Sequence, residues 1–302
     1  MCQNVTTDGP LEADDNPLDT DSGYQESITS ASYRTSIASS VRNYKYEPND
    51  EEEQDRMDLL HHVYRMLLGG ELHLAPITKN PQRVLDLGTG TDSLTRVQPV
   101  SLCAGSGTPP NCSFEVDDFE ADWPYRTPFD YIHGRELAGS IKNFDRLFSQ
   151  AFKHLRSGGY LEMQSFRIEI FSDDDTVEKK AVYTKKWIGL LQEAAEKFGK
   201  PMANMDEWPD KMTKAGFEDV TMRIIKVPMS PWPKDPKQKE IGTYMQVEQL
   251  QAIPGYTTAL LSRVLGWSKE EIDVLLAHVT NELKDRSIHQ YAKLYIVYGR
   301  KP

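Results

Sequence analysis

The feature that most constrains the fold is a short apolar run that leads directly into glycines. Residues 82–90 read Gln-Arg-Val-Leu-Asp-Leu-Gly-Thr-Gly. This run predicts a buried parallel strand followed by a tight turn, because a strand covered on both faces is apolar throughout and glycine adopts turn conformations easily. In a doubly wound sheet, the turn after the first strand faces the crevice where ligands bind. The spacing Asp86-x-Gly88-x-Gly90 is weak evidence by itself, since glycine turns also form only to reverse the chain.

Predicted strands alternate with predicted helices along the rest of the chain. Further apolar runs that predict strands lie at residues 113–116, 129–133, 160–167, 220–227 and 291–298. The clearest helix is predicted at residues 177–198, where apolar side chains recur at helical spacing. We therefore expect an α/β fold with an open, mostly parallel, doubly wound sheet. Residues 228–290 contain proline-rich turns and then helical patterns, so we expect a helical cap that is inserted between the last two strands and covers the carboxyl ends of the strands.

The first 48 residues differ in composition from the rest of the chain. They are acidic, rich in Ser and Thr, and poor in aliphatic side chains. Such a segment cannot bury enough apolar surface to offset the entropy lost on ordering. We predict a disordered tail at residues 1–48 and one folded domain at residues 49–302.

Charge and cysteine content narrow the classes of partner and compartment. The net charge of -11 argues against nucleic-acid binding, which depends on clustered Lys and Arg. Three cysteines without metal-ligand spacing predict neither a metal site nor a disulfide framework. No apolar run is long enough to span a bilayer, and the N-terminus lacks the pattern of a signal peptide. We expect a cytoplasmic or nuclear protein whose partner is a small-molecule metabolite or another protein, with no membrane association.

Several polar residues near strand ends are candidates for the site, and each has a purely structural alternative. Asp86 could contact a ligand or only brace the glycine turn. Asp117 and Asp118 follow another predicted strand and could face a ligand or cap a turn. His133 could border a reaction crevice or be a hydrogen-bonded core histidine. Arg135 could border the same reaction crevice or form an ion pair with its neighbour Glu136.

Many separate segments, in order, resemble those of the fungal LaeA-like family, also called UMTA-type, of class I S-adenosylmethionine-dependent methyltransferases. The segments that carry the resemblance are Glu47-Pro48-Asn49-Asp50, His61-His62, residues 72–76, residues 84–91, residues 109–112, Asp117-Asp118, residues 132–135, residues 155–162, Ala215-Gly216-Phe217, residues 232–235 and residues 299–302. The resemblance spans nearly all of residues 46–302. It implies a Rossmann-like fold, S-adenosyl-L-methionine as cofactor, and a role in the regulation or tailoring of secondary metabolism.

The resemblance also implies roles for individual residues. Asp86, Gly88 and Gly90 would line the methionine part of the cofactor. Asp117 and Asp118 would face its adenine, and His133 and Arg135 would border the substrate crevice. The resemblance names neither a catalytic residue nor the methyl acceptor.

The segment between Gly90 and Pro109 departs from the family pattern because it is short. A crossover needs about 11 helical residues, a strand of about 5 and two loops, and residues 92–108 cannot hold them. Asp92 also stands where the third glycine of the turn should be. We therefore predict that S-adenosylmethionine binding is weak or lost. Two functions stay open, an active methyltransferase and a catalytically inactive accessory or regulatory protein; a gene-model error would produce the same short segment.

Overall fold

The computed structural model describes residues 4–14, 51–88, 94–97, 111–115, 118–202 and 204–302. Eight strands form one sheet in the spatial order β1-β7-β8-β6-β5-β2-β3-β4. The strands are β1 (Asn4–Thr7), β2 (Val84–Leu87), β3 (Leu94–Val97), β4 (Cys112–Glu115), β5 (Phe129–Arg135), β6 (Leu155–Phe166), β7 (Glu218–Pro228) and β8 (Tyr291–Arg300). The helices are α1 (Glu51–Leu67), α2 (Phe144–His154), α3 (Thr176–Lys180), α4 (Val182–Phe198), α5 (Trp208–Ala215), α6 (Pro236–Val264) and α7 (Lys269–Lys284).

The centre of the sheet is parallel. Strand β5 pairs in parallel with β2 on one side and with β6 on the other. Strand β8 runs antiparallel to both of its neighbours, β6 and β7, and β3 runs antiparallel to β2 and β4. All strands except β3 and β8 therefore point the same way, which confirms the predicted mostly parallel, Rossmann-like α/β sheet.

Helices cover both faces of the sheet. On one face, α2 and α5 pack on Leu85, Ile132 and Val297. On the other face, α1, α4, α6 and α7 pack on residues of β7 and β8 that include Val227 and Ile296. Adjacent residues of β8 thus enter different cores, as expected for a strand buried on both faces. The sheet is doubly wound, as predicted.

A helical cap lies between the last two strands. The chain leaves β7 at Pro228, forms α6 and α7, and returns to β8 at Tyr291, which is the register partner of Pro228. Because β8 is antiparallel to its neighbours β6 and β7, this point lies at the carboxyl ends of β5, β6 and β7. The cap core also includes Phe166, the last residue of β6. The structure agrees with the predicted cap over the carboxyl ends.

The beginning of the chain differs from the predicted disordered tail. Strand β1 adds to the edge of the sheet, parallel to β7, with Asn4 opposite Thr221. Further along, Ala13 forms a bridge with Pro233, and Lys239 forms an ion pair with Asp14. The expectation of a structureless tail is therefore wrong for residues 4–14, because an unpaired sheet edge and nearby lysines supply partners that composition does not reveal. The rest of the predicted tail, residues 15–48, lies outside the described residues.

The segment after β2 has no room for a crossover helix. Strand β3 turns back antiparallel along β2, with Val97 opposite Val84 and Thr95 opposite Asp86. Only residues 89–93 separate Gly88 from β3, and a crossover to a parallel strand needs a dozen or more residues. Among the described residues, the strand that follows β2 is the antiparallel β3, which was not predicted. Among the described residues, no helix is both long and apolar enough to cross a membrane.

Candidate functional site

The candidate site lies where β2, β5 and β6 end, beside the glycine turn. Three polar residues form a row across these strands, because Asp86 is the register partner of His133 and His133 is the register partner of Glu162. Register partners in neighbouring strands have their side chains on the same face of the sheet. The row therefore presents an acid, an imidazole and a second acid on one face.

Asp86 and His133 form a hydrogen-bonded pair. The distance from His133 Nδ1 to Asp86 Oδ1 is 2.8 Å. An ionised carboxylate can only accept a hydrogen bond, so Nδ1 carries the hydrogen. The imidazole is 8% exposed, and its other nitrogen, Nε2, is buried with no hydrogen-bond partner among the described residues. A histidine with a purely structural role in the core would have hydrogen-bond partners for both ring nitrogens. Here the described residues supply a partner for Nδ1 alone.

Glu162 is held by the backbone of a loop that covers the row. It is completely buried, and its carboxylate accepts hydrogen bonds from Leu74 N at 2.9 Å, from Ala75 N at 2.6 Å and from Gln164 Nε2 at 2.6 Å. This carboxylate fixes the loop of residues 72–75 over β5 and β6. Glu162 was not among the predicted site residues, although an acid inside the apolar run 160–167 is an available signal.

Arg135 binds to protein groups at the end of β5. Its guanidinium carbon lies 4.2 Å from the centroid of the Tyr64 ring, Nε donates to Gln164 Oε1 at 2.9 Å, and Nη2 donates to Leu72 O at 3.1 Å. Burial and the positive charge of Arg135 together lower the pKa of His61. The structure thus places Arg135 at the crevice, in contact with α1 and the covering loop, and shows no ion pair with Glu136.

Glu136 is a second acid that sequence reasoning did not place in the site. It directly follows β5 with a backbone φ of 52°, which is unusual for a residue other than glycine. Its carboxylate accepts hydrogen bonds from the Tyr64 hydroxyl, from Phe166 N at 3.1 Å and from Ser165 Oγ at 3.2 Å. Burial raises the pKa of Glu136 to about 7, although these hydrogen bonds act in the opposite direction. Glu136 and Tyr64 thereby join the end of β5 to α1.

The predicted cofactor residues are only partly described. Gly88 has a φ of 68°, and a Cβ atom at this position would lie 2.4 Å from Leu137 Cδ2, so the turn requires glycine. Asp118 is exposed, and its Oδ1 accepts a hydrogen bond from Glu120 N at 2.9 Å in a turn after β4. Strand β3 separates β4 from β2, so Asp118 is not brought next to Asp86. Gly90 and Asp117 lie outside the described residues.

The described residues fit a methyl-donor cofactor at the glycine turn but not beyond it. Asp86 and Gly88 stand at the carboxyl end of β2, and the second carboxylate oxygen of Asp86 has no hydrogen bond to a described residue. The ribose-binding acid of such folds stands at the carboxyl end of the second parallel strand. Here the strand next to β2 is the antiparallel β3. The carboxyl end of β3, Val97, therefore lies beside Val84, at the amino end of β2. In the described part of the chain, no group of three His, Cys, Asp or Glu residues could hold a metal ion.

Comparison with known proteins gives a consistent family. The methyltransferase domain family matches residues 59–222. The methyltransferase pytC of Aspergillus terreus is 36% identical over 313 residues, which cover 91% of this chain and 94% of that protein. This alignment is longer than the 302 residues of the chain, so the relative has residues in the aligned region that this chain lacks.

Two relatives come from Emericella nidulans. The probable methyltransferase tdiE is 31% identical, with coverage of 83% of this chain and 82% of that protein. The protein-methionine methyltransferase laeA is 30% identical, with coverage of 86% of this chain and 73% of that protein. Curated relatives thus include both proteins named as methyltransferases and proteins named as regulators of secondary metabolism.

Proposed function

Because the chain belongs to the methyltransferase domain family and to its fungal LaeA-like branch, we propose that it transfers a methyl group from S-adenosylmethionine to an acceptor in fungal secondary metabolism. The observation that carries the proposal is the Asp86–His133 pair beside the Gly88 turn, at the carboxyl ends of the central parallel strands. Ligands of open α/β sheets bind at the carboxyl ends of the strands. The inactive alternative is not favoured, since pytC, tdiE and laeA all carry the name of a methyltransferase.

The donor would be held at the glycine turn. We assign contact with its methionine part to Asp86 and Gly88, with Gly90 as the next position of the same turn. When bound, the donor supplies a methyl group on a positively charged sulfur, which is already activated for transfer. The protein's contribution is to hold donor and acceptor in line and to exclude water, and positioning of this kind accounts for a large share of such catalysis.

We propose that the donor binds weakly. A crossover helix would place its N-terminal N–H groups and its partial positive charge at the turn, and β3 takes the place of that helix. A parallel second strand would place an acid opposite the ribose, and β3 runs the wrong way for this. The loss of two charge-assisted hydrogen bonds, at about 1.5–3 kcal/mol each, lowers affinity by about 10²–10⁴-fold.

The acceptor is proposed to be a metabolite or a protein in the cytoplasm or nucleus. Of the relatives, laeA of Emericella nidulans is named for a protein acceptor, whereas pytC and tdiE are named for methyl transfer alone. We expect the cap and α1 to contribute to acceptor choice, because both lie at the carboxyl ends of the strands.

The proposal is tested by transfer of a radiolabelled methyl group. The purified protein is incubated with labelled S-adenosylmethionine at millimolar concentration and an extract of fungal cells that lack the gene. We expect protein-dependent label in either the low-mass or the protein fraction, and the fraction identifies the acceptor class. Asp86→Ala should abolish the label, whereas Asp122→Asn, which changes a carboxylate that is 98% exposed, should not. Absence of label at every donor concentration would contradict the proposed function.

A further inference from the structure

We propose that His133 is the general base of the transfer, that Asp86 is its positioning residue, and that the acceptor is therefore a hydroxyl group. This inference rests on the proposed methyltransferase function and goes beyond it. It assigns a catalytic role within the chain and a chemical class to the acceptor.

The first step of the argument is the direction of the Asp86–His133 hydrogen bond. The 2.8 Å contact commits Nδ1 of His133 as the donor, because the carboxylate has no hydrogen to give. A neutral imidazole has one N–H, so Nε2 then carries a lone pair. An acid that fixes the tautomer of an imidazole in this way is the arrangement that prepares histidine for proton abstraction.

The second step is the environment of Nε2. This atom is buried and has no hydrogen-bond partner among the described residues. A buried polar atom without a partner is unfavourable, and a bound group can relieve this cost by pairing with it. A bound hydroxyl group would supply the missing hydrogen bond by donating to Nε2. Because His133 lies beside the glycine turn, a hydroxyl group bound to Nε2 would lie next to the expected position of the methyl donor.

The third step is the state of the other described polar groups near His133 on this face of the sheet, apart from its partner Asp86. Glu162, the register partner of His133 on β6, already accepts three hydrogen bonds from the loop and Gln164. Tyr131, whose ring centroid lies 5.9 Å from that of His133, has its pKa raised by burial and by the charges of Glu162 and Asp86, so it stays protonated. The ring centroid of His73 lies 5.7 Å from that of Tyr131, and its Nδ1 lies 3.0 Å from Ala75 O. The guanidinium of Arg135, at the end of β5, cannot act as a base.

The chemistry follows from these positions. As the acceptor oxygen forms its bond to the methyl carbon, the carbon–sulfur bond breaks and leaves its electron pair on sulfur. The proton of the acceptor hydroxyl goes to Nε2 of His133, and the resulting imidazolium is stabilised by Asp86. A hydroxyl group needs this base because it is a poor nucleophile while it holds its proton. A methionine thioether has no proton to lose. The acceptor proposed for this chain therefore differs from the methionine for which laeA of Emericella nidulans is named.

The test uses the full-length protein and a variant that keeps the contact with Asp86. In His133→Asn, the side-chain amide can still donate to Asp86, but the second nitrogen is removed. The matched control is His154→Asn, because His154 is also 8% exposed with its Nδ1 2.8 Å from Gln150 O, and it lies on α2 at the amino ends of the strands. Thermal unfolding of both variants checks that the fold is intact.

One measurement requires no turnover. Diethylpyrocarbonate acylates an unprotonated imidazole nitrogen, and mass spectrometry identifies which of the seven histidines reacts in the native protein. We expect His133 to react, and to react at least about tenfold more slowly in Asp86→Asn, because the amide can donate to Nδ1 and moves the hydrogen to Nε2. An unreactive His133, or an unchanged rate in Asp86→Asn, would overturn the inference.

The second measurement is the pH profile of label transfer in the extract assay. We expect transfer by the wild-type protein to fall at acidic pH, because a general base cannot accept a proton while it already holds one. We expect His133→Asn to lower the rate by about 10²–10⁴-fold at neutral pH and to lose this acidic limb. His154→Asn should leave both unchanged. The inference fails while the proposed function stands if the wild-type protein transfers label and His133→Asn transfers it equally well, or if the labelled product is a methionine. If no label is transferred at all, the proposed function fails. The acylation experiment then still decides the state of His133.

Discussion

Two residues at the carboxyl edge have positive φ angles, and only one of them is a glycine. Gly88 has a φ of 68° and Glu136 a φ of 52°. The strain at Glu136 is held by hydrogen bonds, since its carboxylate binds Tyr64, Ser165 and Phe166 and its own N–H donates to Gln164 O. Residues in such conformations cluster at functional sites, because the surrounding structure must fix them.

At Gly88, an added methyl group is expected to destabilise the protein. Gly88→Ala places a Cβ against Leu137 and strains the backbone, so the free energy of unfolding should fall by about 1–3 kcal/mol. The matched control is Gly189→Ala, because Gly189 lies inside α4 with no atom within 4 Å of an added Cβ, and there alanine should stabilise by about 0.5–1 kcal/mol. Urea denaturation measures both changes. Equal stability of Gly88→Ala and the wild type would show that the turn has another conformation.

The raised pKa of Glu136 predicts a pH dependence of stability. Burial raises this pKa from 4.5 to about 7, so between these values the folded state holds a proton that the unfolded state has released. The free energy of unfolding should therefore fall as the pH rises from about 4.5 to about 7, by up to about 1.4 kcal/mol per pH unit. Glu136→Gln removes this contribution, so its denaturation midpoint should fall less than that of the wild type over the same range. Parallel pH dependence of the two proteins would refute the assignment.

At the scale of elements, the sequence predicted the parts of the fold that have strong periodicity. The apolar runs of β2, β5, β6, β7 and β8 and the stripe of α4 were visible because long, regular burial leaves a pattern. Strands β1 and β3 were missed, because neither is a continuous apolar run and each forms where a partner strand is available. In the site, the glycine turn and His133 could be predicted from local sequence. The roles of Glu136 and Glu162 could not, because their partners Tyr64, Leu74 and Ala75 lie more than 70 positions away.

The N-terminal strand is expected to protect the edge of the sheet. Removal of residues 1–14 exposes the outer side of β7 and removes the contacts of Asp8 with the β7 backbone and of Asp14 with Lys239. Amide hydrogen exchange at residues 221–226 should accelerate, while exchange in β8 should change little because β8 keeps both of its neighbours. Unchanged exchange in β7 would contradict the docking of β1.

At the scale of the whole molecule, α1 connects the cap to the carboxyl ends of the strands. Arg56 Nη1 of α1 lies 2.5 Å from Glu248 Oε1 of α6, and both side chains are buried. Further along α1, Tyr64 shares one core with Met245 of the cap and with the ends of β6 and β7. The Gly88 turn borders the antiparallel pair of β2 and β3, the β2–β3 hairpin.

The central claim is that this hairpin weakens donor binding without removing the glycine turn. The most direct measurement is calorimetric titration of S-adenosylmethionine and its demethylated product into two proteins. The first is the unmodified chain, and the second carries the corresponding segment of pytC between Thr91 and Pro109. We expect weak binding by the unmodified chain, lost in Asp86→Ala, and binding about 10²–10⁴-fold tighter by the rebuilt chain. Micromolar binding by the unmodified chain, or equal affinity of the two proteins, would contradict the account.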